Sequence, residues 1–242
     1  MRKKKYDEER RSFLVKIVRL GMAGGAGILV SLRSAVAVAE QPIVEGMHRI
    51  EGEVRINNVL VKRGARVRPD DTVSTGPGSH AVFVVGEDAF LLRENSSVEL
   101  SGKTDRTAGP EGKAGIKTLR MATGKLLSVF GRGAKTFITT TAICGARGTG
   151  MYVEAGPDRT YVCTCYGEVD LEARASSAAR ETVKTNHHDS PRYIYGRGAE
   201  RLIEKAPMQN HTDKELIMLE SLVNRRPPFV QTPYREYHDP YQ

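Results

Sequence analysis

The chain lacks the sequence motifs of the common catalytic centres. Its 242 residues contain neither the G-x-S-x-G motif of a hydrolase nucleophile nor the H-E-x-x-H motif of a zinc protease. The run Gly145–Gly150 (GARGTG) lacks the Lys-Ser/Thr pair of a phosphate-binding loop, and a predicted strand follows it. Ser190 is contiguous with His188 and Asp189 in a predicted loop, whereas the members of a catalytic triad converge from separate segments. We therefore expect that the protein is not an enzyme.

A basic surface is also missing from most of the chain. The net charge is +8, but residues 1–39 hold nine of the 37 Lys and Arg residues and three of the 29 Asp and Glu residues. The remaining chain therefore carries 28 basic and 26 acidic side chains, and it has no basic patch with interleaved aromatic residues. This balance gives no general attraction for phosphates, so we expect no nucleic-acid partner.

No apolar run near the N terminus is long enough for a good membrane span. The run Ile17–Leu32 is interrupted by Arg19 and followed by Arg33, whereas a spanning helix needs about 20 apolar residues. A short apolar run of this kind is typical of a signal peptide.

Residues 1–39 have the other parts of an export signal as well. A basic start precedes the apolar run, and Ala37-Val38-Ala39 supplies a small-residue cleavage site before Glu40. The string Arg10-Arg11-Ser12-Phe13-Leu14 is similar to a twin-arginine signal, so Arg10, Arg11, Ala37 and Ala39 are the predicted targeting residues. We expect a periplasmic protein that keeps no membrane span after cleavage and has an envelope or membrane protein as a partner. An ordinary secretory signal or an uncleaved anchor are the alternatives.

Tryptophan is absent, and 24 glycines stand against 11 prolines, as suits many short strands and turns. After a predicted linker at residues 40–50, strand-length runs over residues 51–173 are separated by turn residues every 8–12 positions, which predicts an all-β domain. Asn57-Asn58 is the candidate for a tight hairpin turn. Thr136–Cys144 is predicted as one strand, and Ser101–Gly115 as a polar loop. Residues 174–210 read as a β and loop extension.

The C-terminal region, residues 211–242, has a different pattern. Thr212 and Glu215 match a capping box, and an apolar stripe at helical spacing follows them. We predict one short helix that ends at Pro227-Pro228, followed by an extended tail rich in Pro and Tyr.

Residues 51–173 resemble the FecR domain, a periplasmic sensor and regulator module. The resemblance depends on the segment from Gly52 to Leu100, and on Arg147-Gly148-Thr149 and Gly167-Glu168-Val169 in that order. It implies a β-sandwich or β-solenoid of short strands that binds or senses a ligand, or that scaffolds an envelope complex. In this chain a short leader stands where well-known members have a cytoplasmic anti-sigma segment and a membrane span.

The three cysteines leave several alternatives open. Cys163 and Cys165 are two positions apart in a predicted strand, so their side chains leave the same face, and His187-His188 follows in a loop. Thiolates and imidazoles bind zinc, copper or iron, so these four residues are a candidate site for a metal ion or haem. In an oxidising compartment Cys144 could instead form a disulfide with Cys163 or Cys165. The third alternative is that all three thiols are buried and inert.

Two functions follow from this sequence. The first is a non-enzymatic FecR-like sensing, binding or scaffold module. The second is a periplasmic redox protein that binds a metal or haem through Cys163 and Cys165 with His187 or His188.

Overall fold

A computed structural model of the chain describes residues 42–105 and 113–230. The described chain is built from strands with one short helix, so the all-β prediction is confirmed. The elements are β1 Gly46–Glu51, β2 Val54–Ile56, β3 Val59–Leu60, β4 Thr72–Thr75, β5 His80–Val85, β6 Asp88–Leu92, β7 Ser97–Asp105, β8 Lys113–Arg120, β9 Gly124–Val129, β10 Ala134–Ile138, β11 Ala142–Ala155, β12 Arg159–Ala173, β13 Ser176–Thr185, β14 Arg192–Tyr195, β15 Ile203–Lys205 and α1 Asp213–Leu222.

All fifteen strands belong to one hydrogen-bonded sheet that curls around its core. Its main path is β1-β5-β6-β9-β11-β10-β8-β7-β4-β2-β3, and β12 branches from β11 to pair with β13 and β14. The β11–β12 hairpin is the longest pairing, running from Ala142↔Ala173 to Ala155↔Thr160. The pairings are antiparallel except for β8 with β10. The first half of the long strand β12 lies at the centre of the fold, where residues 160–166 are all buried and both faces are covered.

Apolar side chains form two clusters on opposite faces of the sheet. The larger cluster lies inside the curl and joins Phe83 and Phe90 of one part of the sheet to Leu100 and Leu119 of another. The second cluster lies on the outer face of β5, β6, β9 and β12, where α1 covers it with Leu216 and Leu219. The two-residue alternation of strand side chains separates the clusters, because neighbouring residues point to opposite faces.

Turn and cap chemistry agrees with the sequence at two places. Asn57 and Asn58 have φ of 50° and 67° between β2 and β3, as a tight hairpin turn requires. The capping box at the start of α1 is formed, with the Thr212 hydroxyl accepting from the Glu215 N–H and the Glu215 carboxylate accepting from the Thr212 N–H. The helix ends earlier than predicted, because Asn224 takes up a left-handed conformation (φ 56°) just after it.

Three sequence predictions on element boundaries are corrected. The strand β1 begins inside the predicted linker 40–50 and runs to Glu51, and its first residues Gly46 and Met47 pair with Val84 and Phe83 of β5. The predicted strand Thr136–Cys144 is broken at residues 139–141, where the Thr139 hydroxyl accepts from the Ala142 N–H. The strands β7 and β8 extend into the predicted loop Ser101–Gly115.

Two sequence predictions concern the ends of the chain. The predicted signal peptide and the tail after residue 230 lie outside the described residues. The described part of the chain has no helix with the length and hydrophobicity that crossing a membrane requires.

An ion pair between Lys135 and Asp88 is buried inside the fold. The Lys135 ammonium contacts the Asp88 carboxylate at 2.7 Å and donates to the Ile116 carbonyl at 2.8 Å, and both side chains are less than a tenth exposed. The other Asp88 oxygen accepts from the Gly131 N–H at 2.8 Å. Burial raises the pKa of Asp88, against the lowering effect of Lys135. Removing either partner would therefore leave the other without its counter-charge in a poorly solvated position.

We expect Lys135→Met to destabilise the fold by about 3–5 kcal/mol, because it leaves the buried Asp88 carboxylate without its counter-ion. Adding Asp88→Asn should restore much of that loss, since an amide oxygen still accepts from Gly131 and carries no charge. The free energy of unfolding in urea measures both effects. The matched control is Lys184→Met, because Lys184 forms an exposed pair with Glu168 at 3.8 Å and should change stability by less than about 1 kcal/mol. Equal losses in the two single variants would contradict this account of the buried pair.

Candidate metal centre

Strand β12 places two thiols side by side. Cys163 and Cys165 are two residues apart, so both side chains point to the outer face, and both are fully buried in the second cluster. The neighbouring strand β11 is paired with β12 at Tyr152↔Cys163, which fixes the position of the first thiol along the sheet. The sequence prediction that the two thiols share a face is confirmed by this arrangement.

His188 reaches the thiols from the loop that follows β13. Its backbone N–H donates to the Cys165 carbonyl at 3.0 Å, and its φ is 50°. Its Nδ1 lies 3.4 Å from the Cys163 Sγ, and its Nε2 lies 3.0 Å from Oδ1 of Asp213, the first residue of α1. Hydrogen bonds at the backbone and at the far side of the ring therefore hold the imidazole against the thiols.

His211 completes the cluster from the segment just before α1. Its Nε2 lies 3.3 Å from the Cys165 Sγ and 3.0 Å from His188 Nδ1. Its Nδ1 donates to the Gln209 carbonyl at 2.7 Å, and its ring stacks on Tyr152 with centroids 4.4 Å apart. The ring is thus fixed in plane and in rotation, with one nitrogen directed at the thiols.

The four donor atoms fit a tetrahedral metal ion. All four lie within 4.8 Å of one another, and Cys163, Cys165, His188 and His211 are all buried. Metal bonds of about 2.3 Å to sulfur and about 2.0–2.1 Å to nitrogen put neighbouring ligand atoms about 3.3–3.8 Å apart in a tetrahedron. Three of the six distances between donor atoms are close to that range. They are 3.0 Å between His188 Nδ1 and His211 Nε2, 3.3 Å between His211 Nε2 and Cys165 Sγ, and 3.4 Å between His188 Nδ1 and Cys163 Sγ. Small outward shifts of the side chains would seat an ion.

The tautomers of both histidines also suit a metal. The Gln209 carbonyl can only accept, so His211 Nδ1 carries a proton and Nε2 offers a lone pair. The Asp213 carboxylate likewise accepts a hydrogen bond from the Nε2–H of His188. In the neutral ring the lone pair is then on Nδ1, which is the atom that would bind the metal. Hydrogen bonds from a metal-ligating histidine to a carboxylate or a carbonyl are the usual outer-shell arrangement.

The electrostatics favour a thiolate at this place. Burial alone would raise the pKa of Cys163, but hydrogen bonds with Cys165, His188 and His211 hold it well below its ordinary value. Burial and the neighbouring Cys163 raise the pKa of Cys165. Burial lowers the pKa of His188, but the stronger combined effect of Asp213 and Cys163 raises it to about 9. Without a metal, these directions favour a Cys163 thiolate beside a protonated His188, so an ion would bind the His188 Nδ1 in exchange for its proton.

The structure separates the predicted site residues into two groups. Cys163, Cys165 and His188 converge, whereas His187 points away from the thiols. Its Nε2 lies 2.9 Å from both oxygens of Asp213, and its side chain is 23% exposed. His187 therefore belongs to the surroundings of Asp213 rather than to the four-donor cluster.

Cys144 lies apart from the other two cysteines. It pairs with Leu171 on β12, six residues beyond Cys165, which corresponds to about 20 Å along the strand. A disulfide needs Cα atoms within about 7 Å, and all three cysteines are free thiols. Cys144 is fully buried in the larger cluster, where burial raises its pKa to about 12. The fold therefore does not allow the disulfide that the sequence left open, and Cys144 is an inert thiol.

His211 is the ligand that the sequence analysis missed. It stands directly before the capping box, 46 residues after Cys165, and no standard spacing of metal ligands joins the two. The one available signal is its place immediately before the predicted helix N-terminus.

Comparisons with known proteins find only weak similarity. No protein-family model and no curated protein matches the sequence. Similar solved structures include two crystal structures from Parabacteroides distasonis, each described as "a putative anti-sigma factor". The first has a TM-score of 0.45 and 14% identity over 62% of this chain, and this chain spans 64% of its length. The second has a TM-score of 0.43 and 15% identity over 69% of this chain and 83% of its own. Likeness at this level shows neither a family nor a function, so function is argued from the site.

Proposed function

We propose that the protein is a zinc-binding sensor or scaffold module without enzymatic activity. The observation that carries this proposal is the convergence of two thiols and two imidazole nitrogens within 4.8 Å in a buried position. Two thiolates, two neutral imidazoles and Zn²⁺ form a centre of zero net charge, which lowers the cost of burying the ion. This proposal narrows the metal-binding function that was inferred from the sequence. Cys163 and Cys165 remain the sulfur ligands, and His188 and His211 are the nitrogen ligands.

A single ion fits this geometry better than haem. The donors surround a point, whereas a porphyrin needs a broad slot with axial ligands on its two faces. Four buried protein ligands leave no open coordination position, which is the pattern of structural rather than catalytic zinc. Two sulfurs and two nitrogens in a tetrahedral set favour zinc over metals that prefer planar or octahedral sites. We therefore assign the site a structural zinc role.

Cys163, His188 and Asp213 also stand in the order of a thiol catalytic triad. Against this alternative, the Cys163 side chain is fully buried and its Sγ is directed at imidazole nitrogens rather than at a cleft. A substrate carbonyl would have to displace the segment around His211 to reach it. Slow alkylation of Cys163 by iodoacetamide in the native, zinc-loaded protein is the expected result, and rapid alkylation would favour the enzyme instead.

The cellular setting belongs to the same proposal. The leader with Arg10-Arg11 supports folded export to the periplasm, and the resemblance of residues 51–173 to the FecR domain supports a sensing or scaffold role with an envelope partner. Zinc bound before folded export would protect Cys163 and Cys165 from oxidation after transport. The resemblance and the metal site thus describe one protein, a β module that carries a closed zinc centre.

Elemental analysis of the purified protein tests the proposal. We expect one zinc per chain in the wild type and in Cys144→Ser, the matched control, because that thiol lies about 20 Å from the site along the sheet. Cys163→Ser/Cys165→Ser should contain less than a tenth of that zinc, since two of four ligands are lost. Equal metal content in both variants, or none in the wild type after zinc is supplied under reducing conditions, would refute the proposal.

A further inference from the structure

The metal ligands join two parts of the fold that share a single backbone–backbone hydrogen bond among the described residues. Cys163 and Cys165 lie on the central strand β12, and His188 is tied to that strand through the Cys165 carbonyl. His211 belongs to residues 206–230, here called the C-terminal segment, which contains α1. A bound ion would therefore cross-link this segment to the centre of the sheet.

Side chains make most of the attachment of the C-terminal segment. Its first residue, Ala206, donates to the Pro191 carbonyl, and the described backbone–backbone hydrogen bonds after that stay inside the segment. Asn210 donates to Glu154 at 2.7 Å, and Arg93 donates to Glu215 at 2.8 Å near the start of α1. These polar contacts are at least partly exposed to solvent, so each contributes little.

The end of the C-terminal segment is held in a similar way. The Tyr166 hydroxyl donates to the buried Glu220 carboxylate, which also pairs with Arg225 at 2.6 Å. Arg225 donates in turn to the Glu87 carbonyl at 2.8 Å. The contacts at this end thus combine one charged network with the Phe229 ring, whose centroid lies 6.0 Å from that of Tyr166 and 4.6 Å from that of His187.

The helix α1 is too short to be stable without its contacts to the sheet. It has ten residues, and isolated helices shorter than about 12–15 residues are marginal in water. Three of its apolar side chains, Leu216, Leu219 and the cap residue Val223, are fully buried against the sheet. Four further apolar side chains of the segment are only partly buried there, namely Ala206, Met218, Leu222 and Phe229. These apolar contacts must offset the conformational entropy lost in ordering some 25 residues, so one strong cross-link can decide whether the segment docks.

The face beneath α1 is apolar. The helix packs on β6 and β9, and the sheet presents Val82, Val84, Leu91, Leu127 and Val129 there. These side chains become exposed if the C-terminal segment leaves.

We propose that metal occupancy controls the docking of the C-terminal segment, so that loss of zinc releases residues 206–230 and uncovers this apolar face while the sheet stays folded. The inference rests on the proposed zinc site and adds its regulatory consequence. Linkage makes the coupling reciprocal, because a cross-link that favours docking is itself favoured by docking. Residues that hold the segment without touching the metal should therefore affect zinc affinity.

Hydrogen exchange read by mass spectrometry tests the first direction. In the full chain under reducing conditions, removal of zinc by a chelator should speed exchange in residues 206–230 about tenfold or more, within the usual range of coupling. Exchange in β5 and β6 should change less than about twofold, because their hydrogen bonds belong to the sheet. Unchanged exchange in the segment would overturn the inference, and so would equal acceleration in the strands.

Competition with a zinc-binding dye tests the reverse direction. Leu219→Ala and the milder Arg225→Gln should each weaken zinc binding by about fivefold or more, although neither residue touches the site. The control is Leu100→Ala, which lies in the larger cluster and should lower stability without changing zinc affinity. Unchanged affinity in both segment variants, with zinc bound one to one, would overturn the inference and leave the proposed function standing. Failure of the wild type to bind zinc would overturn both.

Discussion

We expect zinc to raise the thermal unfolding midpoint of this protein by about 8–16 °C when it is supplied at about a thousand times its dissociation constant. Binding to the native state alone at that excess adds about 4 kcal/mol, and each kcal/mol shifts the midpoint by about 2–4 °C for a chain of this size. The unfolded chain separates Cys165 from His211 by 46 residues, so the full ligand set exists only in the folded state. Circular dichroism during heating, under reducing conditions, measures the shift.

Two variants show whether this stabilisation comes from the four-donor site. Cys163→Ser/Cys165→Ser should lose the response to zinc, because half of the ligands are missing. Cys144→Ser should keep it, because Cys144 is buried in the other cluster. A zinc response that is the same in both variants would place the ion elsewhere on the protein.

We expect the replacement of His211 to weaken zinc binding far more than the replacement of His187. His211→Ala removes one of four ligands and should lower affinity by at least about a hundredfold, the upper range for changes in the outer shell. His187→Ala removes only a contact to Asp213 and should cost about tenfold or less. Zinc affinity measured by competition with a chelating dye gives both values.

This pair of variants distinguishes the site in the fold from the site predicted by sequence. The sequence analysis grouped His187 and His188 with the cysteines, whereas the structure replaces His187 by His211. Far-ultraviolet circular dichroism of both variants serves as the control, since each must keep the strand spectrum of the wild type. A larger loss in His187→Ala than in His211→Ala would contradict the assignment of ligands.

Much of the fold could be read from local sequence rules. Asn57-Asn58 predicts its turn because asparagine tolerates positive φ, and Thr212 with Glu215 predicts the helix start because both side chains satisfy free N–H groups. The strand β1 could not be found in this way. Its short run GMHRIE has no clear alternation, and a shift in register between Met47 and Arg49 lets it pair with β5. Tertiary pairing, rather than local pattern, decides that strand.

The candidate site could be predicted only in part, for a related reason. Cys163 and Cys165 share a face because strand geometry fixes it within three residues. His188 and His211 are brought to them by the loop after β13 and by the docking of α1, and neither event leaves a spacing signal in the sequence. His188, unlike its neighbour His187, has a left-handed backbone conformation, with φ of 50°. A dipeptide motif cannot reveal which ring such a turn directs inward.

X-ray absorption at the zinc edge of the loaded wild-type protein examines the ligand set itself. Two sulfur atoms at about 2.3 Å and two nitrogen atoms at about 2.0–2.1 Å are the predicted first coordination shell. A shell made only of nitrogen and oxygen would mean that the paired thiols of β12 do not hold the ion.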